Sequence, residues 1–215
     1  MRHFYSSQNP MSAPERIDLT FLTSAPGLKQ CPRDDVPEIA FAGRSNAGKS
    51  SVLNCISGNR QMAKVSRTPG RTQLLNLFDI SPRLATGRIA DLPGYGYAKA
   101  GKQAQAQWQA SVNDYLSKRD NLCGLILVMD IRHPMQPFDL QLLEWADASE
   151  LPVRCLLNKC DKLGFGKQKQ TLNQVRTPWR DSQHVSFQLF SALKQTGKQE
   201  LVDYVLELAR GSAQG

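Results

Sequence analysis

With 215 residues, 40% of them hydrophobic, the chain can bury one sizeable core with short extensions, and its composition excludes disorder over most of its length. No apolar run approaches a membrane span, the first ten residues lack the apolar core of a secretion signal, and the five cysteines form neither a C-x-x-C pair nor a zinc-finger spacing, so we expect a cytoplasmic protein without disulfides or zinc. The formal charge is +8, which points toward polyanionic partners.

Residues 1–36 are mixed in composition and interrupted by Pro10, Pro14, Pro26 and Pro32, so they are expected to form an extension with little regular structure. A single domain is expected over 37–210, and a short tail over 211–215. From Glu38 onward, short apolar runs alternate with amphipathic stretches, the pattern of an α/β fold. Strands are expected at Ile39–Ala42, Leu74–Ile80, Arg88–Ala90, Leu122–Met129, Val153–Leu157 and Val185–Phe190. The run at Leu122–Met129 is apolar on both faces, as a central parallel strand requires. Ser81–Gly87 is too short for a helical crossover, so the strands on either side of it should be antiparallel neighbours.

Helical spacing of apolar residues appears three times, in Trp108, Val112, Tyr115 and Leu116, in Phe138, Leu142, Trp145 and Ala146, and in Leu201, Val205, Leu208 and Ala209. Gly211 is a natural stop for the last helix. Between Asn59 and Lys102 lie eight basic residues (Arg60, Lys64, Arg67, Arg71, Arg83, Arg88, Lys99, Lys102) against Asp79 and Asp91, a local +6. This segment reads either as an ordinary solvated surface or as a face for nucleic acid.

Four motifs carry the chemistry. Gly43-Arg44-Ser45-Asn46-Ala47-Gly48-Lys49-Ser50 is a complete G-x-x-x-x-G-K-S between a strand and a helix. Glycines let backbone N–H groups wrap a phosphate chain while the following helix points its N-terminus at it. Lys49 would reach the β- and γ-phosphates, and the Ser50 hydroxyl would ligate Mg²⁺. Asp91-Leu92-Pro93-Gly94 closes the third strand; Asp91 could hold Mg²⁺ through water, and the Gly94 N–H could meet the γ-phosphate.

Asn158-Lys159-Cys160-Asp161 ends the fifth strand. One carboxylate, Asp161, can accept from both guanine N1–H and the 2-amino group, a donor pair that adenine lacks. Lys159 would lay its stem along the base, and Asn158 would tie the loops together. Ser191-Ala192-Leu193 follows the last strand, which ends at Phe190, with the Ala192 N–H available to guanine O6. In this order, each at a strand's C-terminal end, the four motifs line one edge of a parallel sheet. Between the first two lies Ser66–Gln73, where a threonine should complete the Mg²⁺ site. On the residues alone, Thr68 and Thr72 both qualify.

These segments resemble the EngB (YihA/YsxC) GTPases of bacterial ribosome assembly, among the TrmE-Era-EngA-like G domains. The resemblance runs from about Pro26 to the last helix. It is most specific in Ala40–Ser51, Thr68–Gln73, Asp91–Ala98 and Asp130–Pro134. It implies a single P-loop G domain with a six-stranded, mostly parallel sheet, one antiparallel strand and helices on both faces. It also implies GTP/GDP and Mg²⁺ as ligands, with Thr72 as the Mg²⁺-ligating switch threonine beside Ser50. Gly70, Arg71, Gln73 and Leu74 would join the nucleotide contacts, and Lys49, Thr72 and Gly94 the hydrolytic ones.

The implied role is a monomeric switch in maturing the large ribosomal subunit, with rRNA as partner and no sequence-specific DNA binding. Loss of such proteins gives cell-division defects, so a switch acting on a protein partner in septation is the alternative. The family's guanine motif more often begins with Thr and has Ala before the Asp; Asn158 and Cys160 depart from it toward G proteins generally. Small GTPases carry a Gln just after D-x-x-G to orient the attacking water. Tyr95 stands there instead, so slow intrinsic hydrolysis is expected. In similar G proteins an Asn at the position of Asn46 can hold K⁺ beside the phosphates, which makes K⁺ a candidate activator here. His133 has no placed partner and reads as structural.

Overall fold

The computed structural model describes residues 14–60, 62, 74–95, 110 and 112–211. Its strands are β1 (Leu19–Ala25), β2 (Glu38–Gly43), β3 (Leu75–Ile80), β4 (Arg88–Asp91), β5 (Leu122–Asp130), β6 (Val153–Asn158) and β7 (Val185–Leu189). They form one seven-stranded sheet in the order β1-β3-β4-β2-β5-β6-β7. The run from β4 to β7 is parallel throughout, and β3 is antiparallel to both of its neighbours, β1 and β4. The short β3–β4 connection therefore makes the hairpin its length demands.

All six expected strands form, and β1 is a seventh. It comes from the segment whose prolines suggested an irregular extension. Pro14, Pro26 and Pro32 only bracket a run, Leu-Thr-Phe-Leu-Thr-Ser-Ala, of β-branched and apolar residues. Phe21 and Leu22 are 43% and 41% exposed, so the strand lacks the alternation that burial imposes elsewhere. Its pairing with β3 shifts register between Phe21 and Thr23, as edge strands often do. Just before it, Ile17 is fully buried and donates its N–H to the Ile56 carbonyl at 2.9 Å.

The helices are α1 (Lys49–Ser57), α2 (112–118), α3 (Pro137–Ala148), α4 (Phe165–Arg176) and α5 (Lys198–Gly211). Strand alternation divides the core between them. Ile39 and Phe41 face α1 and α5, joining Val52, Leu53, Ile56, Leu201, Val205 and Ala209. Ala40 and Ala42 face the other way, among Val112, Tyr115, Leu142, Ala146 and Val175 of α2, α3 and α4. The heptad-like positions expected in the last two helices thus do bury their apolar stripe; Trp108 lies outside the described residues. No helix of the described residues is long and apolar enough to cross a membrane.

At the N-terminal end of the parallel strands sits a buried ion cluster. Glu38, fully buried, accepts from Arg88 Nη1 at 2.9 Å, Arg119 Nη2 at 2.7 Å and Nε at 2.8 Å, and the Tyr115 hydroxyl at 2.7 Å. Arg88 also donates to Asp34 and Asp79. Burial works against the Glu38 carboxylate, but the hydrogen bonds from Arg119, Arg88 and Tyr115 outweigh it and hold the group below its ordinary pKa. Arg88 is therefore consumed inside the fold and does not belong to the basic surface of 59–102. Arg60 and Arg83 of that segment are exposed, and Lys64, Arg67, Arg71, Lys99 and Lys102 lie outside the described residues.

Candidate functional site

The phosphate loop begins where β2 meets β5. A Cβ at Gly43 would stand 2.6 Å from the Val128 carbonyl, so only glycine lets the strand end this close to its neighbour. The loop then closes on itself and on the next motif. Ala47 N–H donates to Arg44 O at 2.9 Å, and Ser45 N–H donates to Tyr95 O at 2.6 Å. Gly48 has φ +98, and a Cβ there would lie 2.4 Å from Asn158 Nδ2. This glycine is demanded twice, by backbone conformation and by space. α1 starts at once, with no side chain capping its first N–H groups. Those donors and the helix dipole are what a phosphate chain needs.

Lys49 at the start of α1 forms an ion pair with Asp91 at the end of β4, both almost withdrawn from solvent. Ser50 follows in the same turn. Gly94 packs on the loop, with Gly43 O and Ser45 N each 3.5 Å from where its Cβ would be. A lysine and a carboxylate thus meet beside the phosphate loop, and the Ser50 hydroxyl belongs to the first turn of the same helix. Oxygen donors of this kind suit Mg²⁺, and the lysine suits the phosphates it accompanies, so the residues present fit a Mg²⁺–nucleotide. Leu92 is buried, and Pro93 and Leu74 are half-buried at the rim. Thr68, Gly70, Arg71, Thr72 and Gln73 lie outside the described residues.

The base end is equally built. Asn158, buried, donates from Nδ2 to Ala47 O at 2.9 Å, and its Oδ1 lies 3.4 Å from the Ala192 N–H. The expected tie between loops is therefore present, and it joins the phosphate loop to the Ser191-Ala192 segment. Lys159, at φ +63, donates to Asn46 O and to Asp130 Oδ2, the latter at 2.9 Å. Asp161 accepts from the Ser191 hydroxyl, and this bond, helped by Lys162, holds its carboxyl below the ordinary range. Phe190 O accepts from Cys160 N–H at 3.1 Å, which pins the turn to β7. Cys160 is 2% exposed and burial raises its thiol pKa, so it serves as a small inert residue.

Three contributors were not legible as site residues. Asp130 orients Lys159, and its carboxyl is held low by Arg132 first and by Lys159. Gln168 of α4 donates to the Cys160 and Leu163 carbonyls at 3.0 and 2.8 Å, bracing the turn that follows β6. Asp139 on α3 receives the Tyr95 hydroxyl. A carboxylate ending a central strand was a usable signal for Asp130; nothing in the spacing points to the other two. His133 is exposed in the turn after β5.

Tyr95 is turned inward. It is 5% exposed, its ring lies 4.5 Å from that of Phe138, and its hydroxyl donates to Asp139 Oδ1. Asp139 Oδ2 accepts the Gln136 N–H at 2.8 Å at the start of α3. Burial and the neighbouring carboxylate push the phenol far up, so it stays protonated and donating. The side chain after D-x-x-G therefore anchors this loop to α3. Tyr95→Phe is expected to cost about 1–3 kcal/mol by leaving a buried carboxylate short of a donor. It should lower the melting temperature by a few degrees while GTP affinity holds; an unchanged melting curve would contradict the anchor.

Comparisons with known proteins agree with this geometry. Residues 38–159 match the model of the 50S ribosome-binding GTPase family. The chain is 50% identical over 184 residues to a probable GTP-binding protein EngB of Tolumonas auensis, covering 84% of each. It is 49% identical over 178 residues to the corresponding protein of Pasteurella multocida, covering 82% of this chain and 85% of that one. Among solved structures, a probable GTP-binding protein EngB superposes with TM-score 0.65 at 21% identity, over 81% of this chain and 99% of that one. The Era protein of Aquifex aeolicus superposes with TM-score 0.57 at 21% identity, over 80% and 56%. At these identities the two structures speak for the fold.

Proposed function

The chain belongs to the EngB family of GTP-binding proteins, and from that premise we propose that it is a slow GTP-hydrolysing switch in assembly of the large ribosomal subunit. The GTPase class itself follows from the family. The observation that carries the nucleotide site is the bonded chain from phosphate loop to guanine turn, Ala47–Asn158–Ala192 beside Asp161–Ser191. It supports Asp161 as the base-selecting residue and Gly43–Ser50 as the phosphate cradle.

Mg²⁺, when bound, would neutralise charge on the β- and γ-phosphate oxygens, with Ser50 and Thr72 as its protein ligands. Lys49 would leave Asp91 for those phosphates, freeing the carboxylate to hold a metal-bound water. Gly94 would offer its N–H at the γ-phosphate. The position just after D-x-x-G does not supply a polar group for the attacking water, because Tyr95 is committed to Asp139. Hydrolysis below about 1 per second without a partner is the expected consequence.

K⁺ held near Asn46 would add positive charge beside the phosphates. Replacing K⁺ by Na⁺ should slow hydrolysis at least several-fold, and Asn46→Ala should remove the difference; equal rates in both salts would rule the cation out.

The ribosomal partner is supported by the family model, whose members are described as 50S ribosome-binding, and by the exposed Arg60 and Arg83 in the basic segment. Co-sedimentation of the GTP-locked protein with large subunits across a salt series tests it. Salt-sensitive binding that weakens with GDP is expected. Absence of binding at low salt would favour a protein partner in septation instead.

A further inference from the structure

Helix α4 and the turn after it carry a surface the nucleotide site does not use. Between Asp161 and Asp181 the chain has five basic residues (Lys162, Lys167, Lys169, Arg176, Arg180) and no acidic one. α4 packs through Gln168, Thr171, Leu172 and Val175, one helical stripe, which leaves Lys167, Lys169, Gln170, Asn173, Gln174 and Arg176 facing solvent. Among the described residues no carboxylate pairs with Lys167, Lys169, Arg176 or Arg180.

An acid placed about four residues before a base adds stability to a solvent-facing helix. This one carries none. Its first turns hold Lys167 and Lys169, where the helix dipole disfavours cations. At its head Phe165 is 70% exposed, with the Lys169 ammonium 4.6 Å from the ring centroid. An exposed aromatic, cations without a carboxylate partner and a row of side-chain amides, of which Gln170 accepts from Lys167 at 3.2 Å, occur on the solvent-facing half of the helix. Each matches a part of an unpaired polynucleotide: stacking for a base, charge for phosphates, amides for base edges.

We propose that the solvent face of α4, headed by Phe165, is a docking surface for a single-stranded or loop segment of RNA, distinct from the basic segment at the switches. The inference rests on the assembly reading only for that RNA being ribosomal. Gln168, on the packed stripe, bonds the carbonyls of Cys160 and Leu163 and so ties the helix that carries this surface to the Asn158–Asp161 turn.

The test uses the full chain, a fluorescent single-stranded RNA and a duplex of the same length, with titrations at several salt concentrations. Wild type should prefer the single strand. Lys167→Gln with Lys169→Gln should weaken binding tenfold or more at low salt and reduce the slope of log affinity against log salt by about 1.4. Phe165→Ala should cost about tenfold for the single strand and little for the duplex. GTP affinity and hydrolysis should be unchanged in both variants, which shows that they fold.

RNA affinity unchanged in these variants, or no RNA binding by wild type, overturns the surface. The same variants tested by co-sedimentation separate this from the assembly reading. Variants that match wild type both in free RNA binding and in pelleting with large subunits sink the α4 surface and leave the assembly role standing. A wild type that fails to pellet sinks the assembly role, while loss of free RNA binding in the variants would still support the surface.

Discussion

Asp161→Asn is expected to lower GTP affinity by a factor on the order of 10²–10⁴ and to raise affinity for xanthosine triphosphate. The carboxylate would accept two guanine donors, N1–H and the 2-amino group, and charge-assisted bonds contribute about 1.5–3 kcal/mol each. An amide in the same place offers one acceptor and one donor. The donor faces the 2-amino group and repels it, but meets the 2-oxo group of xanthine. Asp161 is already aimed by Ser191, whose hydroxyl also accepts the Lys194 N–H at 3.1 Å, so the turn should keep its shape in the variant. Equilibrium titration with both nucleotides reads the effect. Equal GTP affinity in variant and wild type would remove Asp161 from the base site.

The second large effect lies at the other end of the sheet. Glu38→Ala strips the shared acceptor from Arg88 and Arg119, which are 4% and 9% exposed. Breaking one side of a buried ion network costs about 3–5 kcal/mol, a large part of the roughly 5–15 kcal/mol that a domain has. Urea unfolding should show the midpoint fall, with the GTP affinity of the folded protein intact. The same cluster sets a pH limit. The folded Glu38 carboxyl titrates below its ordinary value, so its contribution is full above that value and is lost as pH falls through the depressed one. Wild type should therefore lose stability on acidification below the ordinary glutamate range, and Glu38→Ala should lose less over that interval. Equal losses would show that the cluster is not the acid-sensitive element.

The strands and the four motifs were legible because both are local signals. Apolar runs such as Leu125–Met129, buried on both faces, announce themselves, and a phosphate loop needs glycines at fixed spacing. β1 was not legible, since its pairing partner β3 lies some fifty residues on and its own side chains are half in water. Arg88 looked like surface charge because nothing adjacent to it in the chain is acidic; Asp34, Glu38 and Asp79 reach it through the fold. Tyr95 was legible as the residue that directly follows D-x-x-G. The direction of its side chain depends on Asp139, 44 residues later, and only the tertiary structure shows that the position has become an anchor. Thr72 and the rest of 63–73 lie outside the described residues.

A single-turnover measurement of GTP hydrolysis, with and without large ribosomal subunits, tests the central claim most directly. The account predicts a rate below about 1 per second for the protein alone and a rise of at least tenfold when subunits are added. A rate well above about 1 per second without any partner, or no response to the subunits, would contradict it.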